Sequence, residues 1–220
     1  KQKDRWKMIK YAKPINKKYQ IVIFDLDGVI LNSKENMRLS WNDVNKHFNL
    51  KTPFHLYFKN IGMPFKTILK KIGIKKKLDE IQQMYFQKSK KYKNNVLFYD
   101  EVEETIKYLL KKKYKIGIVT SKDLKRTNIF LSKLSIKFHY IVCPSQYLKG
   151  KPYPDQILSL LKKSKIDNTK AIYIGDTIID KKAALNAKID FIFAEYGYGK
   201  IYSNKVKKIK SFKKLLQFLW

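Results

Sequence analysis

Residues 19–28 read YQIVIFDLDG, an apolar, β-branched run that stops at two aspartates and a glycine. A short run of this kind, closed by an acidic turn, is the pattern of a strand buried on both faces. Three similar runs follow at 115–120 (KIGIVT), 171–174 (AIYI) and 190–194 (DFIFA), with a weaker one at 139–142. Between them, residues 100–113, 123–134, 155–165 and 177–187 carry helical spacing. Asp100 with Glu103 three residues on is the pattern of an N-terminal capping pair. Pro154 suits the first turn of its helix, where a missing N–H costs little. Strands alternating with helices predict an α/β fold, a Rossmann-like parallel sheet with helices on both faces. In such sheets ligands bind beyond the carboxyl ends of the strands. The acids at 25 and 27 stand at such an end.

One stretch breaks the alternation. Residues 36–92 contain no convincing strand and are far too many for a loop in a compact domain. They show helical spacing instead, in Met37, Trp41, Val44 and Phe48, then Ile68, Leu69 and Ile72, then Leu78, Ile81, Met84 and Tyr85. The expected organisation is a basic N-terminal segment (1–18), an α/β core (19–35 and 93–220) and an inserted helical cap (36–92). The lysine-rich tail, 205–220, is expected to end in a helix. No internal repeat is visible.

The chain of 220 residues carries a net charge of +31. That charge suggests nucleic acid or an anionic membrane surface. Only Arg5, Arg38 and Arg126 are arginines, however, and the other basic residues are lysines spread along the whole chain. Readers of nucleic acid use arginine where bidentate contacts matter. AT-rich codon usage explains the lysine better, so nucleic acid is not the expected partner. No apolar run approaches the ~18 residues a membrane span needs. The basic N-terminus lacks the apolar region of a secretory signal. A single cysteine, Cys143, excludes an internal disulfide. The expected location is the cytoplasm, as a monomer or homodimer.

Asp25 and Asp27, two apart in an extended chain, can point to the same side, and Gly28 lets the chain turn close to a ligand. Asp176 and Asp180 follow another predicted strand, four apart at a helix start and so on one face. Either pair alone could be a helix cap. Four carboxylates at one sheet edge are harder to explain so, since each like pair at about 4 Å costs roughly 1–4 kcal/mol. A hard divalent cation relieves that repulsion, and Mg²⁺ suits it best because it pairs carboxylates with water and substrate phosphate. Thr120 and Ser121 end the strand KIGIVT, where hydroxyls and N–H groups can bind phosphate oxygens. Lys151 is set apart from the other lysines by its rigid surroundings, GKPYPD.

Taken in order, the segments DLDGVI, VTS, GKPYPD and GDTIID resemble the haloacid dehalogenase-like hydrolase superfamily over residues 19–196. The likeness is greatest to the branch of the phosphoglycolate phosphatases and β-phosphoglucomutases with a helical cap. The resemblance implies that Asp25 attacks the substrate phosphorus and that Asp27 protonates the leaving oxygen and then activates water. It implies a Mg²⁺ site of the Asp25 side chain, the Asp27 main-chain carbonyl and Asp176, with Asp180 alongside or through water. Thr120 and Ser121 would bind the transferring phosphoryl group, and Lys151 would offset charge on Asp25 and the phosphate. Gly62-Met63-Pro64 resembles a cap loop facing the active site, with Lys59 or Lys66 near a substrate anion.

Three positions depart from the family pattern. Asn32 stands where this branch often has aspartate, Lys188 where a glycine is usual, and Phe98-Tyr99-Asp100 where a proline-glycine turn is common. His47, His55 and His139 lack metal-ligand spacing, and Trp41 and Phe48 read as cap core. The implied activity is a Mg²⁺-dependent phosphatase acting on a small phosphorylated metabolite. The alternatives are a phosphosugar mutase, a phosphatase of nucleic-acid ends and, last, a catalytically silent binding relative.

Overall fold

The computed structural model describes residues 18–219, so nearly all of the basic N-terminal segment lies outside the described residues. Among the described residues eight strands are present: β1 (Ile21–Phe24), β2 (Leu31–Asn32), β3 (Leu97–Phe98), β4 (Lys115–Val119), β5 (Tyr140–Val142), β6 (Ala171–Gly175), β7 (Asp190–Ala194) and β8 (Lys207–Ile209). The helices are α1 (Lys34–His47), α2 (Phe54–Phe58), α3 (Phe65–Lys71), α4 (Leu78–Lys91), α5 (Val102–Lys111), α6 (Leu124–Leu131), α7 (Asp155–Ser164) and α8 (Ile178–Asn186).

Six strands form one parallel sheet in the order β5-β4-β1-β6-β7-β8. The run that decides the fold lies at its centre, every residue of β1 buried. Alternate residues of a strand face opposite sides. Val22 and Phe24 accordingly join one hydrophobic cluster with residues of α5, α6 and the C-terminal segment. Ile21 and Ile23 join a second with α7 and α8. The sheet is therefore covered on both faces, as the continuous apolar runs required.

The 36–92 stretch forms α1–α4, with a cluster of its own around Trp41, Tyr57, Ile68 and Tyr85. Trp41 is fully buried, stacks on Tyr57 at 4.5 Å and donates its indole N–H to the Thr52 carbonyl at 2.8 Å. The chain enters and leaves this insert through β2 and β3, which pair antiparallel, Leu31 opposite Phe98. This ribbon was not read from the sequence, since two residues per strand carry no periodicity.

Three expectations need correction. Asp100 does not cap α5: Glu101 precedes the helix with φ +62° and no side-chain cap, and Glu103 pairs with Lys107 instead. The tail adds a sixth strand, β8, before ending in a 3₁₀ turn at Phe212–Phe218 rather than an α-helix. Pro154 sits one residue ahead of α7, at its N-cap. Among the described residues no helix is long and apolar enough to cross a membrane.

Candidate active site

Parallel pairing sets Phe24 beside Ile118 and Ile174, so the residues following β1, β4 and β6 share one edge of the sheet. Asp25, Thr120 and Asp176 are those residues. Gly28, at φ +86°, lies so close to Asp176 that a Cβ there would stand 2.0 Å from Asp176 Oδ2. Only glycine permits that approach.

Lys151 is fully buried at the centre of the site. Its Nζ donates to Asp180 Oδ1 at 2.7 Å and Asp25 Oδ1 at 2.9 Å, with the Tyr173 hydroxyl at 3.2 Å. Burial opposes its charge, yet Asp180 and Asp25 more than offset this and hold it above the ordinary lysine range. The second oxygen of Asp180 accepts the Thr177 N–H at 3.0 Å and the Thr177 hydroxyl, so α8 starts on a reciprocal cap. Capping and pairing with Lys151 thus occupy both oxygens of Asp180.

The remaining acids are less compensated. Burial, reinforced by Asp180 and opposed by Lys151, raises the Asp25 carboxyl to about 7. Burial, then Asp180 and Asp25, pushes Asp176 well above the carboxylate range. Asp176 Oδ2 accepts the Tyr198 N–H at 2.7 Å, whereas its buried Oδ1 has no partner. One oxygen each of Asp25, Asp176 and Asp180 lies within 4.8 Å of the others. An orphaned buried oxygen inside a cluster of acids fits a hard divalent cation, which would take that lone pair and lower all these pKa values together.

Asp27 lies at the mouth, its Oδ1 accepting the Ser33 hydroxyl and its Oδ2 3.2 Å from Lys122 Nζ. Burial pulls Lys122 below the ordinary lysine range, with Asp27 opposing. Thr120 is buried; its hydroxyl oxygen accepts the Lys122 N–H at 3.1 Å and its carbonyl accepts the Gln156 amide at 3.0 Å. Ser121 donates to the Gly62 carbonyl at 2.7 Å, tying the sheet edge to the insert.

These residues line a cleft of ≈ 520 Å³, its open side included, between sheet edge and insert. Asp25, Asp27, Thr120, Ser121, Gly62, Lys151 and Asp176 all reach it, while Asp180 stands behind Lys151. Lys59 and Lys66 do not line it. Lys59 is exposed, and Lys66 pairs with Asp79 on the surface. His139 accepts the Ile116 N–H through Nδ1, a packing contact. Sequence reasoning missed Lys122, Arg126, Gln156 and Tyr198. Lys122 directly follows Thr120-Ser121 but was hidden among lysines, and Arg126 was noticed only as a rare arginine.

The sheet edge thus gathers three buried aspartates around a buried lysine on a parallel α/β fold, the setting in which the haloacid dehalogenase-like resemblance of the sequence can be tested. The family model for haloacid dehalogenase-like hydrolases matches residues 22–194, and the chain belongs to that family. It is similar to the phosphoglycolate phosphatase of Aquifex aeolicus, 27% identical over 84% of this chain and 88% of that one. It is also similar to pyrophosphatase PpaX of Bacillus velezensis, 29% identical over 78% of this chain and 81% of that one. Among solved structures, a haloacid dehalogenase-like hydrolase of Streptococcus pneumoniae shares the fold, with TM-score 0.78 at 21% identity over 91% of this chain and 99% of that one.

Proposed function

We propose that the chain is a Mg²⁺-dependent phosphomonoester hydrolase that works through an aspartyl-phosphate on Asp25. The observation that carries this reading is the buried Asp25, paired with Lys151 and clustered with Asp176, one of whose buried oxygens has no partner. The names of its relatives, phosphoglycolate phosphatase and pyrophosphatase, support the same chemistry.

An Asp25 oxygen attacks the phosphorus while the bond to the leaving oxygen breaks, and Asp27 gives that oxygen its proton. Asp27 then takes a proton from water, which attacks the phosphorus and frees both Asp25 and inorganic phosphate. Ser33 and Lys122 hold Asp27 at the cleft wall for both transfers. Thr120 presents its hydroxyl to the transferring group, Ser121 offers its main-chain N–H because its hydroxyl is held by the Gly62 carbonyl, and Lys151 neutralises charge that Asp25 and the phosphoryl oxygens would otherwise set against each other. Mg²⁺ would be held by Asp25, Asp176 and the Asp27 carbonyl, with Asp180 behind them, and when bound it lets a dianionic phosphate approach these acids.

The insert α1–α4 serves as the cap, closing over the cleft through Tyr57, Gly62, Phe65 and Tyr85. The substrate is a small phosphorylated metabolite. Phosphate release from 2-phosphoglycolate, ethyl phosphate and pyrophosphate tests the reading. Release should require Mg²⁺ and fall by ~10⁴-fold or more in Asp25→Asn, as removal of a covalent nucleophile demands. Turnover that survives without Mg²⁺, or in Asp25→Asn, would sink it.

A further inference from the structure

Arg126 stands on the first turn of α6, six residues past Thr120, and forms part of the cleft wall. The residue is buried, its side chain keeping 10% exposure. Two contacts fix it. Its Nε donates to Asp123, the residue that caps the same helix. Its guanidinium lies over Phe86 of α4, 3.8 Å from the ring centroid, with Tyr85 at 5.8 Å. Neither contact uses the far edge of the guanidinium. Among the described residues, Nη1 and Nη2 have no hydrogen-bond partner.

A buried, planar cation clamped by stacking and by one carboxylate, with two parallel donors left over, is an incomplete recognition unit. The other cations of the cleft are committed differently. Lys151 is bound to Asp25 and Asp180, and Lys122 faces Asp27. Arginine is also the rare choice here, one of three among a great excess of lysines. Lysine would supply the charge, but only arginine supplies a rigid fork matched to two oxygens. Tyr57, Phe65 and Ile68 line the same cleft as Arg126 and give it apolar surface.

We infer that Arg126 is a specificity-determining residue, whose terminal nitrogens bind a carboxylate on the leaving group of a small phosphomonoester. The assignment rests on the hydrolase reading given above and narrows its substrate class. The phosphoryl end sits at Asp25, Thr120 and Lys151, and the carboxylate end points along α6 toward the insert. Because the fork is stacked on α4, a bound carboxylate also bears on how the insert sits over the sheet.

The experiment compares kcat/KM for 2-phosphoglycolate with that for ethyl phosphate, which has no carboxylate, in the native protein, Arg126→Met and Arg126→Lys. The native protein should favour the carboxylated ester by ~100-fold or more, and Arg126→Met should bring the ratio within ~3-fold of unity, because a lone methylene chain offers no donors. Arg126→Lys should restore only part of it, since the charge returns without the fork. A ratio is independent of the fraction of protein that folds, so a destabilised variant still reports. A ratio unchanged in Arg126→Met would overturn the assignment and leave Arg126 a packing clamp between α4 and α6. A preference for pyrophosphate that follows Arg126 would also overturn it, in favour of a second phosphate. Absence of turnover on every ester would fail the hydrolase reading separately, and thermal protection then decides. Protection by 2-phosphoglycolate beyond ethyl phosphate, lost in Arg126→Met, sustains the carboxylate site, and equal protection overturns it.

Discussion

Asp25 illustrates how burying a single carboxyl in the proposed site acts on the stability of the fold. Its carboxyl is buried beside Asp180, and Lys151 compensates only in part, so its pKa rises from 3.8 to about 7. A folded pKa above the unfolded one means that the native state binds the extra proton. The resulting stabilisation is fully present below 3.8 and is lost as pH climbs through about 7. Asparagine at this position does not titrate. In a chelating buffer, the stability of the native protein relative to Asp25→Asn should therefore fall by a few kcal/mol across that window and level off above it, at ~1.4 kcal/mol per pKa unit. Urea denaturation at a series of pH values measures this. A difference that rose with pH would show that Lys151 stabilises the Asp25 anion more than burial opposes it. The same residues show what the sequence alone can reveal about a site. Asp25, Asp27, Asp176, Thr120 and Lys151 were legible because each lies at or near a recognisable strand end or rigid turn. Arg126 and Gln156 were not, since they matter only through tertiary contacts with Phe86 and with the Thr120 carbonyl.

Elements buried on both faces were equally legible. The strands β1, β4, β6 and β7 are runs of apolar residues that nothing but a covered parallel sheet accommodates. An edge strand escapes this logic. In β8 only Ile209 is buried, and the lysines around it mask any alternation. The helix ends escaped too, for a related reason: lysine occupies positions where glycine normally stands. Lys113 and Lys188 follow the ends of α5 and α8, Lys165 ends α7, and all three have φ between +55° and +60°. A side chain in that left-handed region is strained, and glycine is the usual solution. The departure of Lys188 from the family's glycine is thus a local cost rather than a change of geometry. Lys188→Gly should stabilise the protein by about 0.5–1 kcal/mol, the relief of strain outweighing glycine's freedom in the unfolded chain. Lys188→Ala should bring no such gain, because alanine keeps the Cβ. Equal effects of the two substitutions, read from denaturation midpoints, would show that the lysine side chain rather than the backbone sets the stability here.

At the scale of the whole molecule, the net charge of +31 acts on both stability and catalysis, and salt separates the two. Like charges spread over the surface repel one another and disfavour the compact state. The same field draws anionic substrates toward a cleft that already holds Lys122, Lys151 and Arg126. Screening weakens both effects, since the Debye length shrinks from roughly 30 Å at 0.01 M salt to about 8 Å at 0.15 M. Sodium chloride over that range should therefore raise the thermal midpoint while raising KM for a phosphomonoester several-fold. The turnover number should hardly move, because the buried pairs of Lys151 with Asp25 and Asp180 are poorly screened. Nucleic acid should follow the field as well, binding at low salt and releasing near 0.15 M, the behaviour of counterion release without base contacts. Denaturation scans, steady-state kinetics and a salt titration of DNA binding on one preparation test the three together. A turnover number that fell with salt at constant KM would move the effect from the surface field into the site. Tight DNA binding that persisted at 0.15 M salt would require a built nucleic-acid surface that the scattered lysines do not provide.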